Sequence, residues 1–143
     1  MAEVVLLDAG PLGMISHPRP VDEIAVWVAH LLGSGVEVLV PEIADYEVRR
    51  ELRAGKSKSV RRLDQLKVNL GYVPISTEAM VRAAGFWADA RKRGRPTTHD
   101  LSLDADAILA GQAAVIEADV VIATTNPRHL ARFVPAEHWQ DIS

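Results

Sequence analysis

The sequence predicts an α/β domain, with helices on both faces of a mostly parallel sheet. Three observations carry this. Short apolar segments alternate with longer segments of helical periodicity. The apolar segments are hydrophobic along their length rather than at every second residue, as strands buried on both faces are. Polar or turn-forming residues follow them directly, at Asp8, at Pro41-Glu42 and at Thr124-Thr125-Asn126. A length of 143 residues, with 48% hydrophobic and 24% charged, suits one folded domain spanning 1–143 and argues against disorder.

Taken in order, Val4-Val5-Leu6-Leu7 is the first strand, ended by Asp8 with Gly10 and Pro11 as turn signals. Apolar residues at Ile24, Ala25, Val28, Leu31 and Leu32 mark a helix from Val21 to Leu32, stopped by Gly33 and Gly35. Val36 to Val40 is the second strand. Pro41 opens a helix towards Ala54 and Gly55, as proline does at a first helical position. A further helix covers about Ser57 to Leu70. Tyr72-Val73-Pro74-Ile75 is a weak strand signal, and Ser76 caps a long helix to about Arg93. Gly94 to Ser102 reads as a polar loop. Asp104 to Glu117 is a helix apolar on nearly every side, hence buried, and Val120 to Ala123 is the last clear strand. Asn126 before Pro127 is the expected N-cap of a short helix to Phe133.

The net charge of −3 conceals an asymmetry. Eight basic and two acidic residues lie between Arg49 and Lys67, a segment of +6 in a body that is otherwise acidic. The helical pair at about 41–70 is therefore expected to project as a basic arm that tracks a phosphate backbone or is simply solvated. Cysteine is absent, which excludes disulfides, thiolate metal sites and thiol catalysis, so any metal must be held by oxygen or imidazole. The five histidines (His17, His30, His99, His129, His138) fit no metal-ligand spacing. No apolar run approaches the ~20 residues of a membrane span. The start Met1-Ala2-Glu3 lacks the basic lead of a secretory signal, so a cytoplasmic protein with no membrane association is expected. No glycine-rich run is followed by Lys-Ser or Lys-Thr, which removes a Walker-type nucleotide site.

In a parallel sheet, ligands gather beyond the carboxyl ends of the strands. Asp8 follows the first strand, and Thr124, Thr125 and Asn126 follow the last. Glu47 falls on the apolar arc of its helix near Ile43 and Ala44, where a carboxylate needs either an arginine or a cation as partner. Glu42 and Asp45 fall on the other side and are expected to be solvated. Asp104 and Asp106 are two residues apart and so point in nearly opposite directions on a helix. Asp106 is the inward choice, with Asp104 at a cap or in the first turn. Carboxylates that share a pocket repel one another unless a cation is present, and an oxygen-only set suits Mg²⁺ or Mn²⁺.

Four stretches carry a resemblance to a known family: Leu6–Gly13, Tyr46–Leu52, Leu103–Ala110 and Ala123–Leu130. In this order and spacing they resemble the PIN domain, the fold of metal-dependent ribonucleases that includes VapC-type toxins. The resemblance runs from Val4 to Asp141. It implies a PIN-like three-layer α/β/α sandwich and an enzyme that hydrolyses RNA phosphodiesters in single-stranded regions. It also implies one or two Mg²⁺ or Mn²⁺ ions, a homodimer and an antitoxin protein as partner. Asp8, Glu47 and Asp106 would be the catalytic, metal-binding acids, with Asp104 and Asn126 at the edge of the same metal site and Thr124 or Thr125 supplying a hydroxyl. Arg49, Arg50 and Arg53 would meet RNA or a partner protein. Two positions depart from the family pattern, Ala9 in place of a hydroxyl residue and Asn126 in place of an aspartate. They motivate a second reading, a catalytically weak or inactive PIN-like module that binds RNA or protein. A phosphoacceptor signalling domain fits less well, because the second strand ends in Pro41-Glu42 without an aspartate and no lysine follows Lys92. With 5% aromatic residues, tight sequence readout by stacking is not expected, and Trp27, Trp87 and Trp139 suit packing.

Overall fold

The structure, a computed structural model, describes residues 2–55, 59–93 and 100–143. The order of elements is β1 (Val4–Leu7), α1 (Ala9–Ser16), α2 (Asp22–Gly33), β2 (Glu37–Pro41), α3 (Glu42–Ala54) and α4 (Ser59–Leu70). Then follow β3 (Tyr72–Val73), α5 (Thr77–Lys92), α6 (Asp100–Ala114), β4 (Val120–Thr124), α7 (Pro127–Leu130), β5 (Ala136–His138) and a 3₁₀ turn at Trp139–Asp141. The strands form one five-stranded sheet in the order β3-β2-β1-β4-β5, every pairing parallel. The chain builds outward from β1 to one edge, then returns to the other side of β1 as β4. The boundary between β1 and β4 is therefore the topological switch point, where a crevice opens beyond the strand ends.

Alternate residues of each strand feed opposite cores, which explains why the strands are apolar throughout. On one face Val5, Leu7, Val38, Val40, Val121 and Ala123 pack with Leu12 and Ile15 of α1, Ile24, Trp27, Val28 and Leu31 of α2, and Leu63 of α4. Trp27 meets Trp139 edge-on with centroids 5.5 Å apart, and its Nε1–H donates to the carbonyl of Ile142 at 2.8 Å, tying the end of the chain to this face. On the other face Val4, Leu6, Val120 and Ile122 pack with Leu109 and Ala113 of α6 and with Leu130 of α7. The helix α5 lies outside α6. At their crossing a Cβ on Gly111 would run into the carbonyl oxygen of Ala79, so only glycine permits this approach. The helix α3 sends Ile43 to one core and Ala44 and Val48 to the other, and so stands across the carboxyl-terminal end of the sheet.

Several expectations are corrected. Gly10 and Pro11 do not make a loop: they sit in the first turn of α1, where a proline loses no helical hydrogen bond, and Asp8 is the N-cap. The basic arm does not project. Leu63 of α4 is fully buried, and the Arg62 Nε–H donates to the Ile15 carbonyl at 3.0 Å. Asp45 is buried rather than solvated, held by Arg49 at 2.9 Å and Lys67 at 3.3 Å; Glu42 accepts the Ile75 N–H at 2.7 Å. Pro74 and Ile75 lie outside β3, and the edge strand β5 carried too little sequence signal to be read. The helix α6 begins at Asp100, so Ser102 is helical, Asp104 lies past the first turn, and Glu117 follows the helix end. The expected loop residues 94–99, with His99, and the arm residues 56–58 lie outside the described residues.

Candidate functional site

The switch point gathers the strand-end residues. Asp8 ends β1, and its own N–H reaches the Ala123 carbonyl of β4 at 2.9 Å, so the backbone ladder sets its position. Its Oδ1 accepts the Ala9 N–H at 2.7 Å and its Oδ2 accepts the Thr124 hydroxyl at 2.7 Å. Thr124, 1% exposed, in turn accepts the Asn126 N–H at 3.1 Å. The carboxylate is thus fixed in direction by one donor from the end of β4 and one from the first residue of α1, and each oxygen keeps a lone pair for a further partner. Burial nonetheless raises the Asp8 carboxyl above its ordinary value, outweighing the bonds from Thr124 and Ala9.

Two more acids approach from the helices. Glu47 of α3 is pushed up to about 7, first by burial and then by the charges of Asp8 and Asp106, with Arg50 opposing. Asp106 of α6 is pushed up to about 6 by burial and by Asp8, with Arg132 opposing. Each of the two acids therefore senses Asp8 as a like charge. Neither sequence-level option for Glu47 fully accounts for it: its nearest cation, Arg50, stands 4.0 Å away and is half exposed, too weak a partner to offset the burial. Among the described residues, no three Asp, Glu or His side chains stand close enough together to hold a metal ion. The chemistry of the donor set still fits a hard divalent cation. It offers oxygen alone, from three carboxyls that burial raises, two of which also feel the charge of Asp8.

The remaining candidates lie on α6, on α3 and after β4. Asp104 is exposed and lines a cleft of about 290 Å³ between α3 and α6. The α3 wall is Ile43, Tyr46, Glu47 and Arg50, a single stripe at helical spacing, and the α6 wall includes Ser102, Ala105 and Ile108. Asn126 occupies the N-cap position of α7, but its side chain makes no capping bond and is exposed. Thr125 is exposed over Gly10, where a Cβ would meet its Oγ1 at 2.8 Å. The three arginines differ in situation. Arg49 bridges Asp45 and, at 2.6 Å, Asp64, and so ties α3 to α4. Arg50 lies over the Tyr46 ring, 5.3 Å from its centroid, and faces the cleft. Arg53 is exposed in the last turn of α3.

Sequence reasoning passed over two residues. Tyr46 sits in the cleft wall beside Glu47, and the i, i+3, i+4, i+7 spacing of Ile43, Tyr46, Glu47 and Arg50 was the available signal. Gln112 is fully buried, accepting the Ile43 N–H at 3.2 Å and donating to the Val73 carbonyl at 2.8 Å; a lone amide in an apolar helix was its signal. It anchors α6 to the start of α3 and to β3, and so holds the two walls of the cleft in register.

No family model and no curated protein matches the chain. Solved structures do. A chain of FitAcB from Neisseria gonorrhoeae is 16% identical with a TM-score of 0.70, over 96% of this chain and 99% of that one. A chain of VapBC2 from Rickettsia felis, bound to a DNA fragment from its promoter, is 14% identical with a TM-score of 0.73, over 95% and 98%. A chain of VapBC-5 from Mycobacterium tuberculosis, a member of the VapBC family of toxin-antitoxin systems, is 15% identical with a TM-score of 0.56, over 95% and 97%. The protein described here therefore has the PIN-like fold, a three-layer α/β/α sandwich on a parallel sheet, in common with these FitAcB and VapBC chains.

Proposed function

We propose that the protein is a Mg²⁺- or Mn²⁺-dependent endoribonuclease and the toxin of a toxin–antitoxin pair. The observation that supports this reading is Asp8 held at the switch point of the sheet, with Glu47 and Asp106 both near enough to feel its charge and all three carboxyls raised by burial. These three would hold the ion, with Asp104 and Asn126 at the rim. When bound, such an ion neutralises phosphodiester charge and provides a nucleophilic water at neutral pH. The protein's own part is positional. Thr124 keeps the Asp8 Oδ2 aimed into the crevice, and the Asn126 N–H keeps the Thr124 hydroxyl turned towards Asp8. Glu47 and Asp106 would hold the ion as carboxylates, the form that a bound cation would favour against their burial. Arg50, at the mouth of the cleft, meets the RNA backbone, and Arg53 extends that basic edge, whereas Arg49 serves mainly the α3–α4 junction.

The likeness to chains of VapBC and FitAcB complexes supports an antitoxin as partner. A homodimer belongs to the same reading. The face for it is the apolar groove between α5 and α6, about 460 Å³, where Met80 is exposed and Trp87 and Ile108 form the floor. Among the described residues, no helix is long and apolar enough to cross a membrane.

The test is cleavage of a labelled single-stranded RNA by purified protein with Mg²⁺, with Mn²⁺ and with EDTA, beside the Asp8→Asn protein. Metal-dependent products that vanish in the variant support the nuclease; full activity in the variant would sink the site assignment. One observation favours the second reading, a PIN-like module that binds without cutting. The neutral, exposed Asn126 adds no charge to the rim of the site. RNA binding without any product under either metal selects that reading.

A further inference from the structure

The sequence holds seven aromatic residues. Trp27 and Trp139 are buried, and Tyr72, Phe86, Trp87 and Phe133 are half buried. Tyr46 alone is exposed, at 54%, although it belongs to the helix that carries Glu47. A tyrosine at this position adds little to either core: its neighbours Ile43, Ala44 and Val48 do the packing, and its ring looks into the cleft between α3 and α6. The cleft is at the low end of the ~300–1,000 Å³ of small-ligand pockets, room for one nucleotide unit rather than a duplex. The Arg50 guanidinium lies over the ring and also borders Glu47, at 4.0 Å. An aromatic face, a planar cation and a carboxylate bound for the cation site thus follow one another along a single helical stripe.

We infer that Tyr46 is the stacking platform for one unpaired nucleobase of the RNA, with Arg50 beside it on the adjoining phosphate. This rests on the reading of the acidic site as one that acts on RNA. Aromatic stacking accepts every base, because every base has a π-face, so the platform selects single-stranded over paired RNA rather than one sequence over another. In a duplex both faces of a base are covered by its stacked neighbours, so Tyr46 has no face to act on. Tyr46 and Glu47 line the same cleft, which sets the stacked base near the acid of that cleft. Tyr46 is therefore a substrate-binding residue that affects KM more than kcat.

The experiment uses a short single-stranded RNA carrying 2-aminopurine, whose fluorescence falls when it stacks. Binding is followed in EDTA, where no cleavage competes, and steady-state cleavage is followed in Mg²⁺. The wild-type protein is expected to quench the probe. Tyr46→Ala should weaken binding about tenfold, abolish the quenching and raise KM by a similar factor, in line with the loss of one stacked base. Tyr46→Phe and Tyr46→Trp should retain binding, because the ring and not the hydroxyl is used. A duplex of the same sequence should bind no better to wild type than to Tyr46→Ala. Unchanged affinity and quenching in Tyr46→Ala overturns the platform, and so does a wild-type protein that binds no single-stranded RNA. Tyr46-dependent quenching without cleavage in Mg²⁺ or Mn²⁺ leaves the platform standing and overturns the nuclease alone.

Discussion

The two sides of the acidic site are built differently. On the strand side, Asp8 is fixed by the ladder between β1 and β4 and by donors from Ala9 and Thr124 at 2.7 Å each. On the helix side, Glu47 and Asp106 approach Asp8 through charge, and the nearest cation to Glu47 is a half-exposed arginine at 4.0 Å. The strand side is thus organised before any ligand arrives. On the helix side, burial and then the charge of Asp8 raise both acids, and a bound cation would offset both effects. The difference teaches that backbone pairing fixes the strand acid, while the helix acids are left buried with little opposing charge.

The largest effect expected from breaking this arrangement is at its fixed corner. Asp8→Asn should lower metal-dependent cleavage at least about hundredfold. The unfolding midpoint in EDTA should hold or rise, since a buried charge is removed. A variant that loses activity because it unfolds would instead make Asp8 a structural cap.

Next comes the hydroxyl that aims it. Thr124→Val keeps the shape of the buried side chain but deletes the donor to Asp8 and the acceptor for the Asn126 N–H. About a 10–100-fold loss in metal affinity is expected, with Thr124→Ser retaining most of it. Calorimetric titration with Mn²⁺ reads this directly, and equal affinities in Val and Ser would remove Thr124 from the site.

The arginines sharpen the comparison from outside. Arg49→Ala strips a partner from the buried Asp45 and severs the tie to Asp64, so it should cost stability, about 1–3 kcal/mol by denaturant unfolding. Arg50→Ala should leave the midpoint unchanged and weaken RNA binding. The reverse pattern would reassign the two.

The smallest effect is a drift with pH. The Glu47 carboxyl rises from an ordinary 4.5 to about 7 and that of Asp106 from 3.8 to about 6. Between those limits the folded, metal-free protein binds more protons than the unfolded chain. This contribution to stability is therefore complete below the ordinary values and is lost as pH rises through about 6 and then about 7. The midpoint of the wild type in EDTA should fall relative to Glu47→Gln across that window. Added Mg²⁺ should stabilise the protein more at the upper end than at the lower. Parallel wild-type and Glu47→Gln curves would mean that burial and the charge of Asp8 do not raise Glu47.

Much of this was legible before folding. The strands β1, β2 and β4 were read from unbroken apolar runs, and α5 from its Ser76 cap, whose hydroxyl accepts the Ala79 N–H at 3.0 Å. Asp8 and Thr124 were found because a parallel sheet presents whatever follows its strands at one end. Local signals misled where tertiary context reversed them. Gly10-Pro11 reads as a turn, yet proline in a first helical turn has no hydrogen bond to lose. Asp45 reads as solvated on a helical wheel, yet α4 brings Lys67 over it while Arg49 reaches across to Asp64.

By itself, then, the sequence determined which segments are strands, which helical faces are apolar and which acids stand at element ends, because these depend on residues a few positions apart. The folded chain alone decided that β4 returns beside β1, that α3 spans the sheet end and turns Tyr46 and Arg50 into a shared cleft, and that the basic helices pack instead of projecting. Those outcomes depend on contacts between residues far apart in the chain, such as Asp8 with Thr124 and Ile43 with Gln112. No local periodicity encodes them. They are chosen by which arrangement buries both faces of the sheet at once.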